Sequence, residues 1–257
     1  MKEVMLIVSF GTTHEQTRKK TIDAIEGKVR AAFPDLPVYS AWTSEVVIRK
    51  VKASRGEHHD TLDEALARMA ADGVDSLVVV TTCLMDGFEM AKVRKAVGAW
   101  ADELGVPVRI ADPLLATAED RAAVAQAVCT QFASVGVDDA VLLMGHGSAH
   151  ASNEIYAQMQ DAFGELGHSR FFVATVEGEP TFDDALALIE GSRARRVHLA
   201  PLMIVAGDHA KNDLAGEGPD SWSSKLKARG LAVEVILKGL GEYPDVQELV
   251  CEHARRI

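Results

Sequence analysis

Three residues in the second half of the chain have types that suit one divalent ion. His146 stands between two glycines in Met144-Gly145-His146-Gly147-Ser148, Glu177 lies in Val176-Glu177-Gly178-Glu179, and His209 closes Ala206-Gly207-Asp208-His209. Imidazole favours cobalt, nickel, iron and zinc, and a carboxylate adds charge opposite to the ion's. Neutral imidazole is also the side chain best suited to take a proton near neutral pH. The plainer alternatives are that Glu177 caps the helix after it and that His209 sits on a solvated loop. Glu179 competes with Glu177 for the carboxylate role. His14 and His150 lie near the same strand ends, whereas His58-His59 falls in a charged, solvent-exposed loop, and His168, His198 and His253 read as surface or strand-flank positions. HExxH, Walker A and GxGxxG are absent, and Ser148 is not set in G-x-S-x-G.

Each candidate comes after an apolar run of strand type: Ala140–Met144, Phe171–Val176 and Arg196–Pro201, the last continuing through Leu202–Val205. Helical patterns over Ser152–Leu166 and Thr181–Glu190 separate them. Ligands of open α/β sheets bind beyond the carboxyl ends of strands, where all three residues fall. The first half repeats the pattern. Strands over Val4–Ser9, Val38–Trp42, Leu77–Val80 and Val106–Ile110 alternate with helices over Glu15–Phe33, the stretch after Thr43-Ser44, Thr61–Ala71, Phe88–Leu104 and Ala118–Ala133. Thr61-Leu62-Asp63-Glu64 has the form of a capping box. Val4–Thr12 aligns with Ala140–Ser148, so Phe10 takes the place that His146 takes in the second half. The expected fold is α/β: two similar domains, each a parallel sheet flanked by helices, with a cleft between them. The expected division is 1–136 and 137–257, with the last helix, Pro244–Arg255, crossing back.

The composition, 47% hydrophobic and 25% charged over 257 residues, is that of a globular chain with a proper core. A net charge of −11 argues against nucleic acid, which would want a basic face. No apolar run nears the roughly 20 residues of a membrane span, and the N-terminus lacks the form of a signal peptide. Cys83, Cys129 and Cys251 have no CxxC spacing and read as buried free thiols. The expectation is a soluble cytoplasmic protein.

Taken together and in order, Ser9-Phe10-Gly11-Thr12, Ala41-Trp42-Thr43-Ser44, Met144-Gly145-His146-Gly147, Val176-Glu177-Gly178, and Ala206-Gly207-Asp208-His209 with Asn212-Asp213 resemble the anaerobic sirohydrochlorin cobaltochelatases, class II chelatases of the cobalamin route. The resemblance runs essentially end to end. It implies that His146, Glu177 and His209 bind the metal and that His146 and His209 accept protons. One departure stands out. Relatives often carry a histidine after the third strand, in a sequence resembling H-I-I-N-G, where this chain has Cys83-Leu84-Met85-Asp86-Gly87. Any role tied to that histidine, such as haem binding at a subunit interface, lacks its residue here.

The resemblance makes Co²⁺ and sirohydrochlorin the expected substrates, with release of two protons and no organic cofactor. Phe10, Trp42, Leu84 and Met85 are expected to pack on the ring. Gly11, Thr12, Thr43 and Ser44 supply strand-end and helix-start positions for it, and Arg49, with Lys50 and Lys52, supplies charge for its carboxylates. Two readings stay open beside this one: a ferrochelatase taking Fe²⁺ to make sirohaem, and a metal or tetrapyrrole carrier without turnover. A homo-oligomer is compatible with the sequence.

Overall fold

The computed structural model describes residues 2–257. The chain forms two compact units, Met1–Ala116 with Gln247–Ile257, and Thr117–Val246.

The first unit holds strands β1 (Glu3–Ser9), β2 (Val38–Trp42), β3 (Ser76–Thr81) and β4 (Val108–Ile110) in one parallel sheet of order β2-β1-β3-β4. Between them run helices α1 (Glu15–Lys20), α2 (Ile22–Ala32), α3 (Glu45–Arg55), α4 (Leu62–Ala71) and α5 (Phe88–Leu104). The second unit opens with helix α6 (Ala118–Gln131). Its strands β5 (Asp139–Gly145), β6 (Phe171–Thr175), β7 (Arg196–Pro201) and β8 (Ala232–Val235) form a second parallel sheet of order β6-β5-β7-β8. Helices α7 (Ile155–Glu165), α8 (Phe182–Ser192) and α9 (Trp222–Ala228) come after its first three strands, and the last helix is α10 (Pro244–Arg255). The two sheets thus have the same strand order. β1 and β5 are corresponding inner strands, each paired on both sides and buried along nearly its whole length. Continuous burial of this kind belongs to parallel strands covered on both faces.

The cores are aliphatic. Leu6, Leu66, Met69, Val79 and Val97 meet in the first unit, and Leu142, Met144, Leu186, Ile189 and Leu199 in the second. The helices that close over them begin at the caps their sequences specify. Thr61 and Glu64 make the reciprocal capping box of α4, and Thr117 with Asp120 and Thr181 with Asp184 make those of α6 and α8.

Four features differ from the sequence reading. The compact units divide at Ala116, not at 136, because α6 packs on α7 and Phe132, just past its end, meets Phe171 and His198. The helix expected over Glu15–Phe33 breaks at Thr21, a fully buried residue with φ −117° and ψ −82°. Its hydroxyl donates back to the Thr17 carbonyl at 2.7 Å, a contact that bends helices. The strand expected to run on to Val205 stops at Pro201. Beyond it the carbonyls of Met203 and Ile204 accept from Leu240 and Gly241 instead of from a strand. Finally, His198 and His253 are buried, not superficial. His198 pairs with Asp139 at 3.0 Å, and His253 Nδ1 lies 2.9 Å from the Asp112 carbonyl oxygen.

Candidate metal centre

The carboxyl edge of the second sheet carries the three candidates. β5 ends at Gly145, and His146 is the next residue. Gly145 and Gly147 are required by their surroundings. A Cβ on Gly145 would lie 2.1 Å from the Tyr156 ring, and Gly147 has φ +84° with a Cβ position 2.7 Å from the Glu177 carbonyl carbon. Without side chains at these two points the loop after β5 lies directly on the loop after β6. The contact is sealed by Glu177 N–H donating to the His146 carbonyl at 2.9 Å. Asn153 ties the same loops, accepting from Ser148 N–H at 2.9 Å and donating to the Glu179 carbonyl at 2.7 Å. Tyr156, its phenol pushed up by burial, takes the Gly147 N–H at 3.3 Å. His209 enters from the loop after β7, immediately before a π-helical turn, Ala210–Leu214. Turns of this rare kind concentrate at functional positions.

The outcome is close convergence. One donor atom from each of His146, Glu177 and His209 lies within 4.8 Å of the others. The two imidazoles meet edge to face, centroids 4.7 Å apart and planes at 86°. His146 and Glu177 are exposed and His209 is partly so, which leaves the donors open to an incoming ion. Each imidazole is held by one nitrogen. His146 Nδ1 lies 2.9 Å from the Gly147 carbonyl oxygen, and His209 Nδ1 lies 2.6 Å from Asp213 Oδ2. In each ring Nε2 is left for other chemistry. Glu177 is not the cap of α8, since Thr181 holds that place. Glu179 is not part of the converging set.

A second group, His58, Asp60 and Glu64, also lies within the same spacing in the first unit. Its carboxylates are already engaged. Asp60 meets Arg68 at 2.6 Å, and Glu64 accepts from Thr61 N–H at 2.8 Å within the α4 capping box.

The residues expected to hold the tetrapyrrole lie at the carboxyl edge of the first sheet, and they divide by exposure. Phe10 is 54% exposed, and Leu84 and Met85 are partly exposed. Arg49 is exposed and lies 3.7 Å from Glu45 on α3. Ser44 is partly buried and caps α3 by accepting from Val47 N–H. Gly11, Thr12 and Thr43 are buried. Trp42 is only 3% exposed and offers no ring face as a wall. Its indole stacks on His59 and lies against Gly11, where an added Cβ would come within 2.6 Å of it. His59 is therefore packed, not the solvated loop residue its charged neighbours suggest. Sequence reading passed over two exposed apolar side chains at the same edge, Val46 at 52% and Phe88 at 64%. The signal for both was an apolar residue in the first turn of a helix placed after a strand.

Known proteins resemble this chain throughout its length. A model of the family described as cobalt chelatase (CbiK) matches residues 3–257. A sirohydrochlorin cobaltochelatase of Salmonella typhimurium is 33% identical over 255 residues, covering 98% of this chain and 95% of the relative. A second, sirohydrochlorin cobaltochelatase CbiKC of Nitratidesulfovibrio vulgaris, is 30% identical over 254 residues, covering 98% of this chain and 89% of the relative. Among solved structures, SirB from Bacillus subtilis with Fe3+ superposes with a TM-score of 0.73 at 15% identity, covering 100% of this chain and 95% of that one, which is a likeness of fold. The two parallel sheets, their shared strand order and the end-to-end sequence match agree, and the chain belongs to the cobalt chelatase (CbiK) family.

Proposed function

We infer that this chelatase inserts Co²⁺ into sirohydrochlorin, with His146, Glu177 and His209 receiving the ion. The observation that carries the reading is the convergence of those three donors within 4.8 Å at one sheet edge. Two imidazoles and one carboxylate suit Co²⁺, and the same set accepts Fe²⁺ as a competitor.

The chemistry asks for three things. The ion must lose water, two pyrrole N–H groups must lose protons, and the ring must be held facing the ion. The three donors replace part of the hydration shell. The ion's charge makes the pyrrole N–H groups more acidic, as it does bound water. Because each histidine has its Nδ1 engaged, Nε2 is the atom that must both hold the ion and take a proton. Those two uses exclude each other. A histidine therefore accepts its proton as it releases the ion to the ring nitrogens, so metal hand-over and deprotonation proceed together. Phe10, Leu84 and Met85, joined by Val46 and Phe88, supply apolar surface for the macrocycle, and Arg49 and the capped start of α3 supply charge for its carboxylates. The three free cysteines fit a reducing, cytoplasmic setting.

The test is direct. The purified protein is incubated with sirohydrochlorin and Co²⁺, with Fe²⁺ in parallel, and the tetrapyrrole absorption is tracked. The expected result is turnover with Co²⁺ that His146→Ala and His209→Ala abolish. Stoichiometric binding of both substrates without conversion means a carrier and overturns the reading.

A further inference from the structure

Asn212-Asp213 closes the stretch that begins at His209, and the metal-binding reading leaves it without a task. Asp213 lies on the π-helical turn Ala210–Leu214, one residue from its end. Its Oδ2 is 2.6 Å from His209 Nδ1. His146 has no such partner, since its Nδ1 faces the neutral carbonyl of Gly147 at 2.9 Å. The two imidazoles are thus held by acceptors of different charge.

We propose that Asp213 is a positioning residue that holds His209 with Nε2 toward the ion and makes it the firmer of the two imidazole ligands. The proposal rests on the metal-binding reading above. A carboxylate behind an imidazole fixes its tautomer and ring orientation and raises the basicity of the far nitrogen. A carbonyl fixes the tautomer but contributes no charge. His209 then retains the ion longest, and His146 is the ligand that lets go first. Asp213 follows His209 by four residues, the spacing that sets two side chains on one face of a helical turn, and the turn is closed by Ala215 N–H donating to the Ala210 carbonyl at 3.2 Å.

The side chain of Asp213 is 45% exposed, so its removal opens no buried void. The experiment compares Co²⁺ binding, by titration calorimetry and by the absorption of bound Co²⁺, in wild type, Asp213→Ala, Asp213→Leu, Asp213→Asn and His209→Ala. The Michaelis constant for each substrate is measured alongside. Asp213→Ala and Asp213→Leu are expected to weaken Co²⁺ binding by about 10–100-fold, to alter the Co²⁺ spectrum, and to raise the Michaelis constant for Co²⁺ but not for sirohydrochlorin. Asp213→Asn keeps an acceptor oxygen without the charge and should fall between them and wild type. The leucine variant, with the same number and branching of side-chain heavy atoms, gives a second measurement should the alanine variant fold poorly. Wild-type Co²⁺ affinity and spectrum in Asp213→Ala or Asp213→Leu, with affinity lost in His209→Ala, overturn the role of Asp213 alone. Wild-type affinity in His209→Ala overturns the metal site itself.

Discussion

The indole of Trp42 lies flat on the imidazole of His59, ring centroids 3.6 Å apart and planes within 9° of parallel. Trp42 ends β2, and His59 comes from the loop between α3 and α4. Arg18 braces that loop through Glu57 and lies 3.1 Å from His59 Nε2, while Arg55 donates to the Thr13 carbonyl at 2.9 Å. The strand end beside Phe10 is thus held by a packed cluster, and the ring expected to face a ligand holds the loop instead.

This stack gives a pH dependence. Burial, and next the Arg18 guanidinium, push the His59 imidazole below its ordinary value, against an opposing pull from Glu57. In the unfolded chain it titrates near ~6.5. Below that value the unfolded state takes up the proton more readily, so the contribution is fully present above about 6.5 and is lost as pH falls toward the folded value. His59→Phe keeps a flat ring that cannot titrate. Thermal melts from pH 7.5 to 5 should show the wild-type Tm falling faster than that of His59→Phe. Parallel curves would remove the linkage.

The carboxylate assignment is tested by paired substitutions. Glu177→Gln is expected to weaken Co²⁺ binding by more than roughly tenfold, since loss even of an outer partner costs about 10–100-fold. Glu179→Gln should bind as wild type. Titration calorimetry of the two variants decides, and the reverse pattern would transfer the role to Glu179.

Two glycines make opposite predictions. Gly147→Ala forces a side chain into a backbone with φ +84° and against Glu177. The left-handed conformation alone costs about 1–2 kcal/mol, so both Tm and Co²⁺ affinity should drop. Gly98 lies inside α5 with nothing near its Cβ position. Gly98→Ala should therefore stabilise the fold by about 0.5–1 kcal/mol, read as a rise in Tm with chelation unchanged.

The thiols should be inert. Burial pushes Cys83 and Cys129 up to about 11, and Cys251 is raised for the same reason. Thiolate is the reactive form. An aromatic disulfide reagent at pH 8 is expected to label the native protein slowly and all three cysteines promptly after denaturation. Rapid native labelling would mean an open thiol.

The convergence of His146, Glu177 and His209 was legible because each comes after an apolar strand, and parallel strands bring their trailing loops to one edge of the sheet. Capping boxes such as Thr61 with Glu64 were legible because their partners are three residues apart. The features that stayed hidden depend on distant partners. The contacts of His198 with Asp139 and of His253 with Asp112 span 59 and 141 residues, and no local pattern announces them. The place of Trp42 was misread for a related reason: its neighbours in sequence say nothing of the loop at His59 that covers it. The break at Thr21 turns on one hydroxyl choosing the backbone four residues behind it, which hydrophobic periodicity does not register.

The Gln247–Ile257 segment belongs to the unit that begins the chain. There Glu248 meets Lys28 at 3.0 Å, and Arg109 donates to the Ile257 carbonyl at 2.8 Å. Seen from the ribosome, the order of completion is inverted. Every residue of the unit with the converging histidines has emerged by Val246, while the unit begun first still waits for its closing segment. Vectorial synthesis therefore completes the unit that carries His146, Glu177 and His209 before the unit begun first has received its last segment.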